Sequence, residues 1–180
     1  MKKRLPYNRR GRAGFTLAET LITVLIVVMV AGVLAAGVPA AVNAYNNVVD
    51  SANAETLIGT TVTLLRSELG MASDISVENG KTLAYLNENN IKCSLEPGAV
   101  GDSTGIMLKC DDLNDQSQSQ PQPLVSTQMA TNGLYIIYRN VEYANGVVRF
   151  YGSENENGLV VLRDGKEIAG LRELQIRTFA

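Results

Sequence analysis

The chain lacks histidine and tryptophan, and it has only two cysteines among its 180 residues. Without histidine there is no imidazole to act as general base, proton shuttle or zinc ligand, which excludes most hydrolase mechanisms and the commonest metal chemistry. The Ser, Lys and Tyr residues form no pattern of a nucleophile beside its base. We therefore expect a protein that is not an enzyme and needs no cofactor. Its length leaves room for one globular domain with an appended segment.

Charge is segregated into three consecutive regions. The first 14 residues carry six basic side chains and no acid, and residues 15–49 contain a single charged side chain, Glu19. Residues 50–180 contain 10 basic and 17 acidic residues, a net charge of −7. Nucleic-acid binding depends on Lys and Arg that neutralise phosphates, so this acidic region does not indicate a nucleic-acid partner.

The apolar region decides the class of protein. From Leu21 to Val42 there are 22 uncharged residues, mostly Val, Leu, Ile and Ala. A helix of about 20 such residues crosses a bilayer. The basic residues in front of it favour a cytoplasmic N-terminus by the positive-inside rule. We expect a single-pass protein of the cytoplasmic membrane whose acidic region lies outside the cytoplasm.

Two general interpretations of this N-terminus are open. A secretory signal has an apolar core of about 7 to 15 residues, which is shorter than this one, although small residues near Ala35, Ala40 and Ala44 permit cleavage. A permanent single-span anchor fits the hydropathy. It leaves unexplained Glu19, which costs about 2.5–3.5 kcal/mol near the centre of a membrane and less near its edge, where water can hydrate the carboxylate.

A motif before the apolar region supports a third interpretation. Residues 12–21 read Arg-Ala-Gly-Phe-Thr-Leu-Ala-Glu-Thr-Leu, which places Gly14, Phe15 and Glu19 at fixed offsets. This string resembles the class III signal of type IV pilin-like proteins. In that family a short basic leader ends in Gly, the next residue is usually Phe, and Glu is the fifth residue of the processed chain. The resemblance extends over residues 9–45.

The resemblance implies how the chain is processed. A prepilin peptidase would cut between Gly14 and Phe15 on the cytoplasmic side and methylate the new amine of Phe15. The implied partners are this peptidase, other pilin-like subunits in a filament, the inner-membrane assembly machinery, and the membrane that holds the precursor. The chain would divide into a cleaved leader, a transmembrane assembly helix, its amphipathic continuation and an extracytoplasmic β-rich body, which are residues 1–14, 15–44, 45–70 and 71–180.

Glu19 is the candidate assembly residue. Cleavage would place a positive amine on Phe15, four residues before Glu19. Either charge alone is costly among apolar helices, whereas a pair is tolerated. The two groups of one helix can meet each other, or each can meet its counterpart in a neighbouring subunit. The resemblance implies the intersubunit pair.

Small residues in the apolar region favour close packing between helices, because they let helix backbones approach one another in lipid. A different reason for their presence is that Gly and Ala are common in membrane helices generally. The residues concerned are Ala31, Gly32, Ala35, Ala36, Gly37, Ala40 and Ala41.

An amphipathic helix is predicted after the apolar region, ending near the favourable C-cap residue Gly70. Its apolar positions recur mostly at three and four, at Tyr45, Val48, Val49, Ala52, Ile58, Val62, Leu65 and Leu69. Its polar positions are Asp50, Asn53, Glu55, Arg66 and Glu68.

Short runs of branched and aromatic residues follow and predict strands. Asn145-Gly146 and Asp164-Gly165 favour type I′ turns between antiparallel neighbours. We expect an α+β protein in which an antiparallel sheet of about four strands packs on the helix, as in pilins. The runs are Ile106–Lys109, Leu134–Tyr138, Val147–Tyr151, Leu159–Leu162 and Leu174–Phe179.

Cys93 and Cys110 lie in the exported part, where disulfides persist, and an even count is consistent with one bridge. Two reduced cysteines are the alternative, for a thiol-poor or anaerobic setting.

Two polar segments complete the body. The run Ser117–Pro123 predicts an exposed, mobile loop. Asp111, Asp112 and Asp115, with Asp102 nearby, offer carboxylates to calcium, but EF-hand spacing is missing. We interpret them as a solvated acidic loop and expect no metal site.

These observations favour a structural subunit, a minor pilin or pseudopilin, that assembles through its N-terminal helix into a helical filament for adhesion, motility, DNA uptake or secretion. The resemblance fits surface pili, competence pili and the pseudopilus of type II secretion alike. The alternative function is a monomeric, membrane-anchored adhesin or binding module.

Overall fold

The computed structural model describes residues 16–100, 105–111, 120–125 and 133–179. This part of the chain forms one α-helix and eleven β-strands, an α+β fold in which every strand pair is antiparallel. The boundary between two compact units falls between Asn46 and Asn47. The predicted leader, residues 1–14, lies outside the described residues.

Helix α1 spans Leu17–Gly70, so the predicted end near Gly70 is confirmed. A helix leaves its last carbonyl groups without partners inside the helix. Here the carbonyl of Gly70 accepts a hydrogen bond of 2.9 Å from the backbone N–H of Phe179, near the end of the chain. The last described residues therefore cap the helix in the second unit.

A single stripe of α1 is buried in the second unit. Its positions are three or four residues apart, the spacing that keeps side chains on one face of a helix. Thr61 fits into this stripe because its hydroxyl donates a 2.7 Å hydrogen bond to the carbonyl of Leu57 in the preceding turn. The buried residues are Asp50, Ala54, Leu57, Thr61, Leu65 and Leu69.

The predicted apolar face of this helix is wrong at its beginning. Tyr45 and Val48 were predicted to be core-facing and are each 69% exposed, whereas Asp50 was predicted to be polar and exposed and is only 8% exposed. The reason is an ion pair, since the guanidinium of Arg163 donates a hydrogen bond to the Asp50 carboxylate. A partner of opposite charge lets a carboxylate occupy a buried position.

Five strands after the helix form one sheet in sequence order. They are β1 Ser73–Glu78, β2 Thr82–Leu86, β3 Lys92–Glu96, β4 Met107–Cys110 and β5 Gln122–Pro123.

The remaining strands form two sheets of three strands, ordered β10-β9-β6 and β11-β8-β7. They are β6 Leu134–Tyr138, β7 Asn140–Ala144, β8 Val147–Tyr151, β9 Leu159–Arg163, β10 Lys166–Leu171 and β11 Glu173–Arg177.

All five predicted runs form strands, namely β4, β6, β8, β9 and β11. The prediction of a single sheet of about four strands is wrong, because the described residues form three sheets. Both predicted hairpin turns are confirmed. Asn145 and Gly146 have φ of 53° and 74°, and Asp164 and Gly165 have φ of 51° and 75°, the left-handed pairs that a type I′ turn requires.

Tyr138 occupies the centre of the core. Its ring contacts that of Phe150 edge to face, with centroids 5.1 Å apart. Its hydroxyl oxygen lies 2.6 Å from the carbonyl oxygen of Lys81 and 2.8 Å from that of Leu95, so its single proton serves two backbone acceptors. The same cluster contains Leu65 from the helix, and it therefore joins the helical stripe to the sheets.

Part of the predicted loop Ser117–Pro123 is a strand. Gln122 pairs with Leu108 and Pro123 with Met107, which makes β5 the edge of the five-stranded sheet. A proline is compatible with an edge strand because it has no N–H to offer a further neighbour. Residues 117–119 lie outside the described residues.

A disulfide bond joins Cys93 on β3 to Cys110 on β4. The two residues are direct partners in the antiparallel register, with Cα atoms 4.0 Å apart. Cys93 is also buried in the core, so the bond holds a central strand to its neighbour.

Replacement of both cysteines, Cys93→Ser with Cys110→Ser, should lower the free energy of unfolding by about 3 kcal/mol, the chain-entropy value for a loop of this size. Urea denaturation of the detergent-solubilised chain measures the change. Alkylation of wild-type protein purified without reductant should find no free thiol. Recovery of two alkylated cysteines would show that the bond does not form in the cell.

Stability should also decline at alkaline pH because of Tyr138. Burial, aided by the Glu96 carboxylate, raises the pKa of its phenol well above the ordinary value of about 10. The folded chain then holds the proton more tightly than the unfolded chain. This stabilisation is complete below about pH 10 and is lost as the pH rises further.

Tyr138→Phe should cost about 1 kcal/mol at neutral pH through the lost hydrogen bonds and should make the alkaline decline shallower. Urea denaturation at about pH 8 and pH 11 tests both effects. Tyr143→Phe is the matched control, since Tyr143 is 39% exposed. An alkaline decline in Tyr138→Phe as steep as in the wild type would contradict this role.

Candidate assembly site at the start of helix α1

Thr16 is the N-cap of helix α1. Its side-chain oxygen accepts a hydrogen bond of 3.3 Å from the backbone N–H of Glu19, and its carbonyl accepts one of 3.1 Å from the N–H of Thr20. Threonine is a favoured N-cap because its oxygen satisfies one of the free N–H groups at the start of a helix. The order Thr-x-x-Glu is the capping-box pattern, a signal in the sequence that the prediction of the helix did not use.

Glu19 therefore has a local role as well as a candidate role in assembly. It lies in the first turn of α1, where a carboxylate interacts favourably with the positive end of the helix dipole by about 0.3–1 kcal/mol. Its side chain is exposed, and within the described residues it forms no ion pair. Gly14 and Phe15, the predicted cleavage and methylation site, lie outside the described residues.

The threonines beside Glu19 are satisfied within the helix. The hydroxyl of Thr20 donates to the carbonyl of Leu17 at 2.9 Å, and that of Thr23 donates to the carbonyl of Glu19 at 2.7 Å. These side chains thus enter an apolar environment at little cost, because their donors already have acceptors. Within the described part of this stretch, the carboxylate of Glu19 has no partner of opposite charge.

The first unit exposes a continuous apolar surface. Its large apolar side chains from Leu17 to Tyr45 are between 50% and 83% exposed. Positions 21 to 30 are apolar except for Thr23, so the surface extends around the helix rather than along one stripe. A helix that is apolar on all sides is typical of a membrane span or of a helix covered by others.

Helix α1 is long and apolar enough to cross a membrane, with a mean hydropathy of 2.9 in its most apolar window.

Nothing in the described chain explains the glycines in this region. A Cβ added to Gly32 or Gly37 would meet no atom within 4 Å, so neither is required by a contact that the structure describes. Glycine in a helix costs about 0.5–1 kcal/mol relative to alanine, and the described residues make no contact that offsets this cost.

The acidic residues of the body do not form a described metal site. Asp102, Asp112 and Asp115 lie outside the described residues, while Asp111 is exposed. Among the residues that the structure describes, no group of three or more Cys, Asp or Glu side chains is arranged to hold a metal ion.

Comparison of the chain with protein-family models, with curated proteins and with solved structures gives no match. The class that the structure itself defines is an α+β protein with an N-terminal helix capable of crossing a membrane, the later part of which packs on antiparallel sheets.

Proposed function

We propose that this chain is a type IV pilin-like structural subunit, a minor pilin or pseudopilin. A prepilin peptidase removes residues 1–14, and the subunit then assembles through helix α1 into a helical filament. The observation that carries the proposal is the apolar surface around the first unit of α1 with one carboxylate at its start, Glu19, that has no ion-pair partner among the described residues. The basic leader and the Gly14-Phe15 motif support it from the sequence.

Other helices account for this surface better than lipid alone. The hydrocarbon interior of a bilayer covers the apolar side chains, but it offers no positive group to Glu19. Parallel helices from other subunits offer both an apolar cover and the new amine of Phe15. Gly32 with Ala36 and Gly37 with Ala41 also follow the pattern of two small residues four apart that lets membrane helices approach closely.

The pairing of Glu19 with a neighbour's Phe15 amine uses two different surfaces of one subunit. A contact between unlike surfaces repeats without closing unless its rotation happens to form a ring, and so it generates an open helical filament. A charge pair at each repeat sets the stagger between successive helices. The membrane holds the subunits before assembly, with the N-terminus cytoplasmic and the β-rich unit on the other side.

Processing is the first test. The mature protein should begin at Phe15, retain 166 of the 180 residues and carry a methylated amine. Gly14→Leu should leave the precursor uncut, because a bulky side chain cannot enter the narrow site that glycine fits. Intact mass and N-terminal sequencing of the membrane form measure this. A mature terminus near Tyr45 would instead indicate a secretory signal.

Charge pairing is the second test. Glu19→Ala leaves the neighbour's amine uncompensated, which costs about 3–5 kcal/mol where the pair is well buried, so assembly should fail while processing continues. Glu19→Gln retains the size but not the charge and should fail as well. Thr20→Val is the matched control, because the Thr20 hydroxyl bonds only within its own helix.

The amount of each variant in sheared, sedimented filaments is the measurement. Glu19→Ala chains in filaments at the wild-type level would show that Glu19 serves only as a hydrated, helix-starting residue. Recovery of the wild type solely as a detergent-solubilised monomer would favour the membrane-anchored binding module.

A further inference from the structure

A cleft of about 490 Å³ opens on the β-rich unit and is lined by residues that the filament proposal does not use. One wall is the segment 97–100 after β3, and the other is the segment 153–156 after β8. The lining also includes Arg139 and Asn140 where β6 is followed by β7, and Lys81 between β1 and β2. The volume falls within the range of about 300–1,000 Å³ for small-ligand sites.

Arg139 has unused hydrogen-bonding capacity in this cleft. Its terminal nitrogens are 3.8 Å from a carboxylate oxygen of Glu156 and 3.6 Å from one of Glu167, too far for direct hydrogen bonds. Its Nε is buried and has no acceptor among the described residues. A buried donor without a partner costs about 1–3 kcal/mol. The position of the Arg139 side chain is therefore unfavourable as far as its hydrogen bonds within the described chain are concerned.

Arg149 shows what a satisfied arginine looks like in the same unit. Its Nε and terminal nitrogens donate to Glu173 and Glu142 at distances of 2.8, 2.9 and 3.1 Å. These bonds hold the pKa of the Glu173 carboxyl below its usual value. Arg149 therefore forms direct hydrogen bonds with two carboxylates, whereas Arg139 lies farther from the two carboxylates near it.

The walls of the cleft are fixed by close backbone contacts. Gly98 has φ of 75°, and a Cβ there would overlap the carbonyl of Gly105. A Cβ on Gly152 would overlap the carbonyl of Glu156. Replacement of either glycine would therefore force the backbone of its wall to move. Because the walls are already fixed, a ligand would bind with little cost in ordering them.

We propose that this cleft binds a small, hydroxylated carboxylate ligand of the sugar-acid class. A carboxylate in the cleft supplies close acceptors to the terminal nitrogens of Arg139, whose carboxylate neighbours in the described chain lie 3.6 and 3.8 Å away, and forms a charge-assisted pair with them. Asn140 and Ser153 provide an amide and a hydroxyl for the ligand's hydroxyl groups. Glu156 can accept a hydrogen bond from a ligand hydroxyl, while its charge repels any anion and repels a doubly charged one more strongly, which favours a monoanion over phosphate.

Equilibrium dialysis of the detergent-solubilised full chain with radiolabelled glucuronate tests this proposal, with glucose as the uncharged counterpart. The wild type should bind glucuronate saturably and glucose at least about tenfold more weakly, since the carboxylate makes the charged contacts. Arg139→Gln should weaken glucuronate binding by about tenfold or more. Arg177→Gln is the matched control, because Arg177 is exposed on β11 and does not line the cleft.

Glu156→Gln provides a test that misfolding cannot imitate. Loss of its charge removes both a repulsive group and a competitor for Arg139, so glucuronate should bind several-fold more tightly. The proposal is overturned if the wild type shows no saturable binding, if glucose binds as well as glucuronate, or if Arg177→Gln weakens binding as much as Arg139→Gln. It is also overturned if Glu156→Gln weakens binding while its thermal unfolding matches that of the wild type.

Discussion

The dominant constraint on this chain is the exposed apolar surface of helix α1 in the first unit. The described residues leave that surface uncovered. Residues 21–30 are apolar on almost every side, and their side chains remain at least half exposed. A soluble chain with such a surface would associate through it, because contiguous apolar patches mark contacts with membranes or other proteins. The described residues provide no cover for this surface, and our proposal about assembly depends on what covers it.

In the second unit the same helix is amphipathic, with one buried face and one exposed face. Only one stripe of the helix is buried there. Its apolar side chains pack with those of the β-strands in a common core. The polar members of that stripe each have a partner, Thr61 within its own helix and Asp50 in Arg163. The stability of the β-rich unit thus depends on residues of α1, and a body without the helical stripe would lose one side of its core.

Local signals in the sequence were sufficient for the helix, for five strands and for both Asx-Gly hairpins. The sheet arrangement was not predictable in the same way, because β1 and β2 combine polar residues with isolated apolar ones and their pairing depends on contacts across the chain. Asn79-Gly80 was an available signal for that hairpin, and both residues have positive φ. The prediction that Asp50 is exposed was wrong because its partner Arg163 is 113 residues away in the sequence. A charged residue is expected to be exposed unless such a partner is known.

Asp50 and Glu19 show the same chemistry with opposite outcomes. Both are carboxylates on α1 beside apolar residues, and the chain supplies Arg163 to the first of them. It supplies no basic residue to the second between positions 15 and 49. In the proposed processing, the basic side chains before Phe15 leave with the leader and a single amine takes their place. A subunit that pairs its internal carboxylate within its own fold would then reserve the terminal one for its neighbour, which makes filament growth depend on the next subunit's amine.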